Sequence, residues 1–199
     1  MSRGKASAGP TVIVLAAGRG VRMRGADKML EKVGGDPVIR VMAARALKCG
    51  PTRVVIAADQ DARRAALQGL DAEVIEIAAG GGMGDSIAAG AAGLAGPALV
   101  LPADMPGLRA NDLYLLIGLH RHAPGAILRG CDAAGAPGHP VLFPADLVKE
   151  LSGLTGDTGA RDVLKKHADR LRLVPLDGDR AIRDLDTPED WAAWRAGGA

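Results

Sequence analysis

The chain has 199 residues, enough for one compact domain that buries roughly 70% of its unfolded surface. Lys and Arg number 25 against 23 Asp and Glu, a formal charge of +2, and only 2% of the residues are aromatic. That balance excludes a general polyanion binder, and the scarcity of aromatics excludes a stacking platform for single strands, so no nucleic acid is expected as a partner.

In chain order, residues 1–10 are small and polar and are expected to form a disordered tail, with the domain running over 11–199. The apolar run 11–17 follows Arg3 and Lys5 as a signal peptide would, but it sits at the short limit of about seven residues and enters a basic loop, so it reads as a strand. Short apolar runs bounded by turn residues predict further strands over 53–57, 73–77, 98–101 and 125–128. Helical stretches lie between them over 38–48, 61–70, 86–94 and 111–121. The uncharged stretch 86–103 is long enough for a membrane span, yet Gly90, Gly93, Gly96, Pro97 and Pro102 interrupt it. It reads as a short helix, a turn and a strand, and no membrane partner is expected.

The last third continues with a strand over 139–143, helices over 145–151 and 159–167, a strand over 171–174 and a closing helix over 188–195. Thr187 is placed to cap that last helix and Pro188 to open it. Strand and helix in alternation predict an α/β fold: a single three-layer αβα Rossmann-like domain with a mainly parallel central sheet. Ligands bind such sheets outside the carboxyl ends of the strands, where strand order reverses. Cys49 and Cys131 have no CxxC spacing and suit reduced thiols in a cytoplasmic protein.

The strand 11–17 runs into Gly18, Gly20 and Gly25, interleaved with Arg19, Arg22, Arg24 and Lys28. A dinucleotide fingerprint needs glycine where Met23 stands, and a P-loop needs Lys and Ser or Thr where Ala26 and Asp27 stand. What remains is a glycine loop whose N–H groups nest anion oxygens, with Arg22 and Lys28 as cations of the kind a triphosphate requires. A merely solvated surface turn is the plainer alternative. After the strand 98–101 comes LPADMPGL, in which Asp104 stands between two prolines at a strand's carboxyl end. It is placed to ligate a hard cation such as Mg²⁺, or else is only a turn residue.

LAAGRGVRMRGADKML resembles the signature loop of the MobA/MocA-like nucleotidyltransferases, the group that includes the molybdopterin guanylyl- and cytidylyltransferases, and ADMP resembles the metal-binding motif of that family. The resemblance implies a nucleotide-diphospho-sugar transferase type of fold and a Mg²⁺-dependent nucleotidyl transfer. It implies that Leu15, Ala16, Ala17, Gly18, Arg19, Gly20, Arg22, Met23 and Lys28 wrap the nucleotide. Within GGGMGDSIAAG, Gly84 and Ser86 match positions where a helix N-terminus approaches it.

GHPVLF, GDTGARDVL and RDLDTPEDW are similar to motifs of the cytidylyltransferase branch. By that likeness His139, Pro140, Gly156, Asp157, Gly159 and Arg161 face the acceptor, and Asp184 or Asp186 joins Asp104 on the metal. The plainer alternatives are that Asp186 and Thr187 only cap a helix and that His139 is a satisfied core histidine. Arg22, Lys28 and Asp104 are the residues expected to act on the reacting phosphates.

In this family LAGG goes with guanine and LAAG with cytosine, so Leu15-Ala16-Ala17-Gly18 implies CTP. The acceptor so implied is molybdenum-bound molybdopterin, with a molybdenum-enzyme client as a further partner. Another phosphate acceptor, the use of GTP, or a non-catalytic cofactor carrier are the alternatives. Two residues depart from the pattern. Arg24 stands where the family motif has glycine, and if that position needs a positive φ the arginine strains the loop by about 1 kcal/mol. Asp85 stands where a small residue is expected and reads as an N-cap.

Overall fold

The computed structural model describes residues 9–197, so all but Gly9 and Pro10 of the expected N-terminal tail lies outside the described residues. Strand β1 (Thr11–Leu15) turns Val12 and Val14 toward one hydrophobic core and Ile13 and Leu15 toward another. With water on neither side, such a strand must be central and must read as a continuous apolar run. Each of these side chains contributes about 1.5–3 kcal/mol through burial.

β4 (Thr52–Ala57) and β6 (Ala98–Pro102) flank β1, both parallel to it. β5 (Glu73–Ile77) closes one edge beside β4. On the other side β8 (Pro137–Phe143) runs antiparallel to β6, followed by β7 (Ile127–Cys131) and β9 (Leu171–Pro175). The order is β5-β4-β1-β6-β8-β7-β9, and β8 alone runs against the rest of this sheet. The expected parallel architecture is therefore present.

One face of the sheet is covered by α1 (Val38–Leu47), α4 (Ala110–His122) and α7 (Pro188–Ala196), which contribute Ile39, Leu116 and Trp191 to the first core. The other is covered by α3 (Met83–Ala91), α5 (Val148–Leu151) and α6 (Arg161–Lys166), through Ile87, Leu151 and Val163. α2 (Asp61–Ala66) links β4 to β5. Among the described residues no helix is long and apolar enough to cross a membrane, and the stretch 86–103 is α3, a turn and β6.

The structure differs locally from expectation at three places. β2 (Lys32–Val33) and β3 (Asp36–Pro37) form a hairpin around Gly34 and Gly35, both at positive φ, which a two-residue turn of this kind requires. α3 begins before Ser86 because Gly82 is its N-cap. Asp85 is not the cap but the third helical residue, whose carboxylate accepts the Gly82 N–H at 2.8 Å. Residues 145–151 divide into a 3-10 turn and α5.

Candidate active site

The chain leaves β1 for β4 and β5 on one side, then crosses back through α3 to β6 on the other, so strand order reverses between β1 and β6. Leu15 lies level with Pro102 there, and Ala103 N–H donates to the Leu15 carbonyl at 2.9 Å. The glycine loop and the Asp104 turn thus leave the sheet side by side. Between them is a cavity of about 350 Å³ lined by Leu15, Ala17, Gly18, Arg19, Lys28, Ser86, Asp104 and Asp157.

At its floor lies a cluster of charge. Lys28 Nζ donates to Asp104 Oδ2 at 2.5 Å and to Asp186 Oδ1 at 2.6 Å, and Lys28 and Asp104 are both buried. Burial alone would lower the lysine, but the two carboxylates outweigh it and raise its pKa. Asp186 also accepts from Arg22 and, despite partial burial, is held below the usual carboxylate range by these two cations. Asp184 is pushed the other way by desolvation and by repulsion from Asp186. Asp104 Oδ1 is buried with no hydrogen-bond partner. Asp186 is therefore not a capping group. Thr187 caps α7 by accepting from Asp190 N–H, and Asp190 bonds back to Thr187 N–H.

The loop is braced from beneath by residues without a local sequence signal. Arg63 on α2, 2% exposed, pairs through Nε and Nη2 with both Asp27 oxygens at 2.7 Å and also donates to the Ala16 carbonyl. Gln60 donates to the Ala17 carbonyl at 3.1 Å. Met23 is buried in the core under the loop, so it shapes the loop from below.

Gly20 at φ 58° opens a 3-10 turn over Val21–Met23, and Arg24 at φ 52° and ψ 38° closes it. Arg24 is the one non-glycine residue at positive φ among the described residues, and its guanidinium pairs with exposed Glu189 at 2.7 Å. The departure at Arg24 is thus a left-handed conformation held by arginine, followed by Gly25, also at positive φ. An exposed pair of this kind is worth about 0–1 kcal/mol, while the left-handed conformation costs about 1–2 kcal/mol. Arg24→Gly is expected to raise stability by up to about 1 kcal/mol, or about 2–4 °C in Tm, and Arg24→Val to lower it, as thermal melts will report.

Gly84 lies away from the cavity, against another backbone: its N–H donates to the Gly156 carbonyl at 2.7 Å. A Cβ on Gly82 or Gly84 would come within 2.3 Å and 2.7 Å of residues 155–156. Asp85 closes this contact, accepting weakly from Gly156 N–H at 3.3 Å, so its charge meets backbone donors and turns from the cavity. Gly159 packs on Met83. Of the residues assigned to the acceptor, Asp157 instead lines the cavity beside the glycine loop. Pro140 is buried in β8.

A second cavity of about 270 Å³ continues past Asp104, with Asp184, Arg129 and His139 in its walls. A third, of about 520 Å³, lies under α6 and shares Arg129 and His139 with the second. Arg161 lines this third cavity. His139 Nδ1 is buried without a partner, and burial, with the Arg129 charge second and Asp104 opposing, pushes the imidazole down to about 4. The ring also meets the Val100 backbone, so it is a core histidine partnered on one side only. Below pH 6.5 the unfolded chain gains a proton that folded His139 refuses, so stability is full above pH 6.5 and declines as pH falls to about 4. The loss is about 3 kcal/mol, and His139→Asn is expected to remove it from chemical-denaturation curves taken across that range.

A switch-point glycine loop opposite a buried carboxylate, with cations beneath, defines an α/β domain of the nucleotide-transferring class. Residues 12–171 match the model of the MobA-like NTP transferase domain, and the chain belongs to that family. A bifunctional protein GlmU from Leifsonia xyli is 30% identical over 187 residues, covering 88% of this chain and 35% of its own length. The chain spans no more than that share of the curated relatives it matches.

In fold, the chain is similar to Rv0371c from Mycobacterium tuberculosis, with a TM-score of 0.81, 24% identity and coverage of 95% of this chain and 98% of that one. It is also similar to the molybdopterin-guanine dinucleotide biosynthesis protein A of Archaeoglobus fulgidus, with a TM-score of 0.63, 20% identity and coverage of 92% and 95%.

Proposed function

We propose that the chain transfers CMP from CTP to the terminal phosphate of molybdenum-bound molybdopterin and releases pyrophosphate. The observation that carries this reading is Asp104, a buried carboxylate in the switch-point cavity with one oxygen on Lys28 and the other on no protein donor. An orphaned buried oxygen costs free energy unless a ligand meets it. A divalent ion fits the residues present. Mg²⁺ takes one or two carboxylates and completes its shell with phosphate and water, and among the described residues no group of three protein ligands would hold it without substrate.

Asp104, with Asp184 or Asp186, would hold Mg²⁺, which when bound would supply positive charge to offset that of the reacting phosphates. The chain's own residues do the rest by alignment. The acceptor phosphate is anionic near neutral pH and needs no strong base. Its oxygen bonds to the α-phosphorus as the bond to the bridging oxygen breaks, and pyrophosphate carries that electron pair away. In this reading Lys28 and Arg22 exchange their carboxylate partners for phosphate oxygens and offset the charge of the leaving group. Ala17 narrows the nucleotide cavity by one methyl group relative to glycine, which favours the smaller pyrimidine.

Pyrophosphate release measured with each NTP, Mg²⁺ and molybdenum-loaded molybdopterin tests this, with CTP expected to lead and Ala17→Gly to raise the GTP rate relative to CTP. Turnover with GTP and none with CTP would reverse the choice of base. The family match, shared with relatives named only as GlmU, does not single out molybdopterin, and a second reading is the same transfer onto a different phosphate acceptor. Release with a sugar phosphate and none with molybdopterin would support it.

A further inference from the structure

Two adjacent arginines of α2 have opposite fates. Arg64 stays toward the surface on Glu76 and Asp61, where an ion pair contributes little to stability. Arg63 turns inward, is 2% exposed, and among the described residues is the one cation paired with Asp27. Taking a guanidinium out of water is costly, and an apolar side chain of similar volume in place of a buried ion pair is often no less stable. Packing α2 on the sheet therefore does not call for an arginine at 63.

What the guanidinium supplies is several donors fixed in one plane. Nε and Nη2 take both Asp27 oxygens at 2.7 Å, and Nη1 takes the carbonyl of Ala16, the residue after β1. Asp27 in turn accepts the Met29 N–H through Oδ1 at 2.9 Å, which caps the 3-10 turn Lys28–Leu30. A turn this short has few bonds of its own, here Leu30 N–H to the Asp27 carbonyl at 3.0 Å and Glu31 N–H to the Lys28 carbonyl at 3.3 Å. Met29 anchors it in the first core, and the Asp27 clamp is its second, polar anchor.

The same turn carries Lys28 into the cavity, with the lysine stem against Gly20, where a Cβ would come within 3.3 Å of Lys28 Cγ. One side chain of α2 thus fixes the exit from β1, the turn bearing Lys28 and, through that lysine, the glycine loop. Arg63 itself is not among the residues lining the cavity.

We propose that Arg63 is a positioning residue for the nucleotide: it holds the Lys28 ammonium and the glycine loop where a triphosphate meets them, and touches no substrate atom itself. This rests on reading the Asp104 cavity as the nucleotide site. Binding loses less free energy to ordering when the cation already stands in place before the phosphates arrive. Arg63→Lys keeps the charge, but an ammonium has no fork with which to hold both Asp27 oxygens and the Ala16 carbonyl together.

The test is calorimetric titration of CTP and the other NTPs into the whole chain, well below the melting temperature of every variant used. Arg63→Lys is expected to weaken CTP by about tenfold or more. Leu151→Ala, a truncation in the core on the face of the sheet away from α1, should lower Tm and yet leave CTP affinity within about twofold, as distant independent sites do. In a Lys28→Gln background Arg63→Lys should change CTP affinity by no more than about twofold, because the residue through which it acts is gone. A folded Arg63→Lys protein that binds CTP as the unmodified chain does, an equal loss in Leu151→Ala, or an undiminished effect beside Lys28→Gln overturns the proposal. If Arg63→Lys does not fold, Asp27→Asn, at a side chain 28% exposed, carries the same comparison with the same outcomes. If no NTP binds the unmodified chain, the transfer reading falls and this inference with it; if CTP binds and Arg63→Lys has no effect, only this inference falls.

Discussion

Asp104→Asn is expected to lower CTP-dependent pyrophosphate release by about 100- to 1,000-fold while leaving the fold in place. Asparagine keeps the volume and one oxygen acceptor, so Lys28 retains a hydrogen bond at position 104 and its full ion pair with Asp186. The stability loss should therefore be about 1–2 kcal/mol, below the 3–5 kcal/mol of a buried charge left with no partner. What asparagine cannot supply is the anionic oxygen pair, including the orphaned Oδ1, that a hard cation requires. Asp59→Asn, which removes the exposed partner of Arg19, serves as the comparison and should leave turnover unchanged. Near-normal turnover in Asp104→Asn would remove Asp104 from the chemistry.

The parts of the fold and site that were legible in the sequence are those carried by neighbouring residues. β1, β4, β5 and β6 were readable because each is a short apolar run closed by turn residues, and Asp104 was readable because its strand end and its prolines are contiguous. The hairpin of β2 and β3 was missed because two-residue strands show no period, although Gly34-Gly35 was a usable turn signal. The start of α3 was missed because its cap is a glycine served by a later aspartate, which leaves no capping side chain in the expected position. The pairings that organise the site span 158 residues for Lys28 and Asp186 and 36 for Arg63 and Asp27, and no local pattern reports such contacts. Arg24 was visible as a departure but not as a left-handed residue, because only the backbone shows φ. Arg129 had no local signal, because its guanidinium meets the Gly138 and Pro137 carbonyls only in the folded chain.

Gly138 ties β8 to the acidic segment of the site, and its substitution carries the other large effect. A Cβ on Gly138 would stand 1.7 Å from the Ala181 carbonyl oxygen and 2.5 Å from its carbon. Both are backbone atoms, so no rotamer relieves the overlap. The two segments are also bonded, with His139 N–H donating to that same Ala181 carbonyl at 2.7 Å, and the chain then runs on until Leu185 N–H reaches the Asp104 carbonyl at 3.0 Å. A methyl at 138 must therefore lift the stretch that carries Asp184 and Asp186, which separates Asp186 from Lys28. The cost expected is about 3 kcal/mol, or about 6–12 °C in Tm for a chain of this size. Turnover should fall in the same variant even at temperatures where it remains folded. Ala181→Gly should not restore either property, since it removes a side chain while the obstacle is the carbonyl group. A Gly138→Ala protein that melts and turns over as the unmodified chain does would show that the 178–186 segment is not seated on β8.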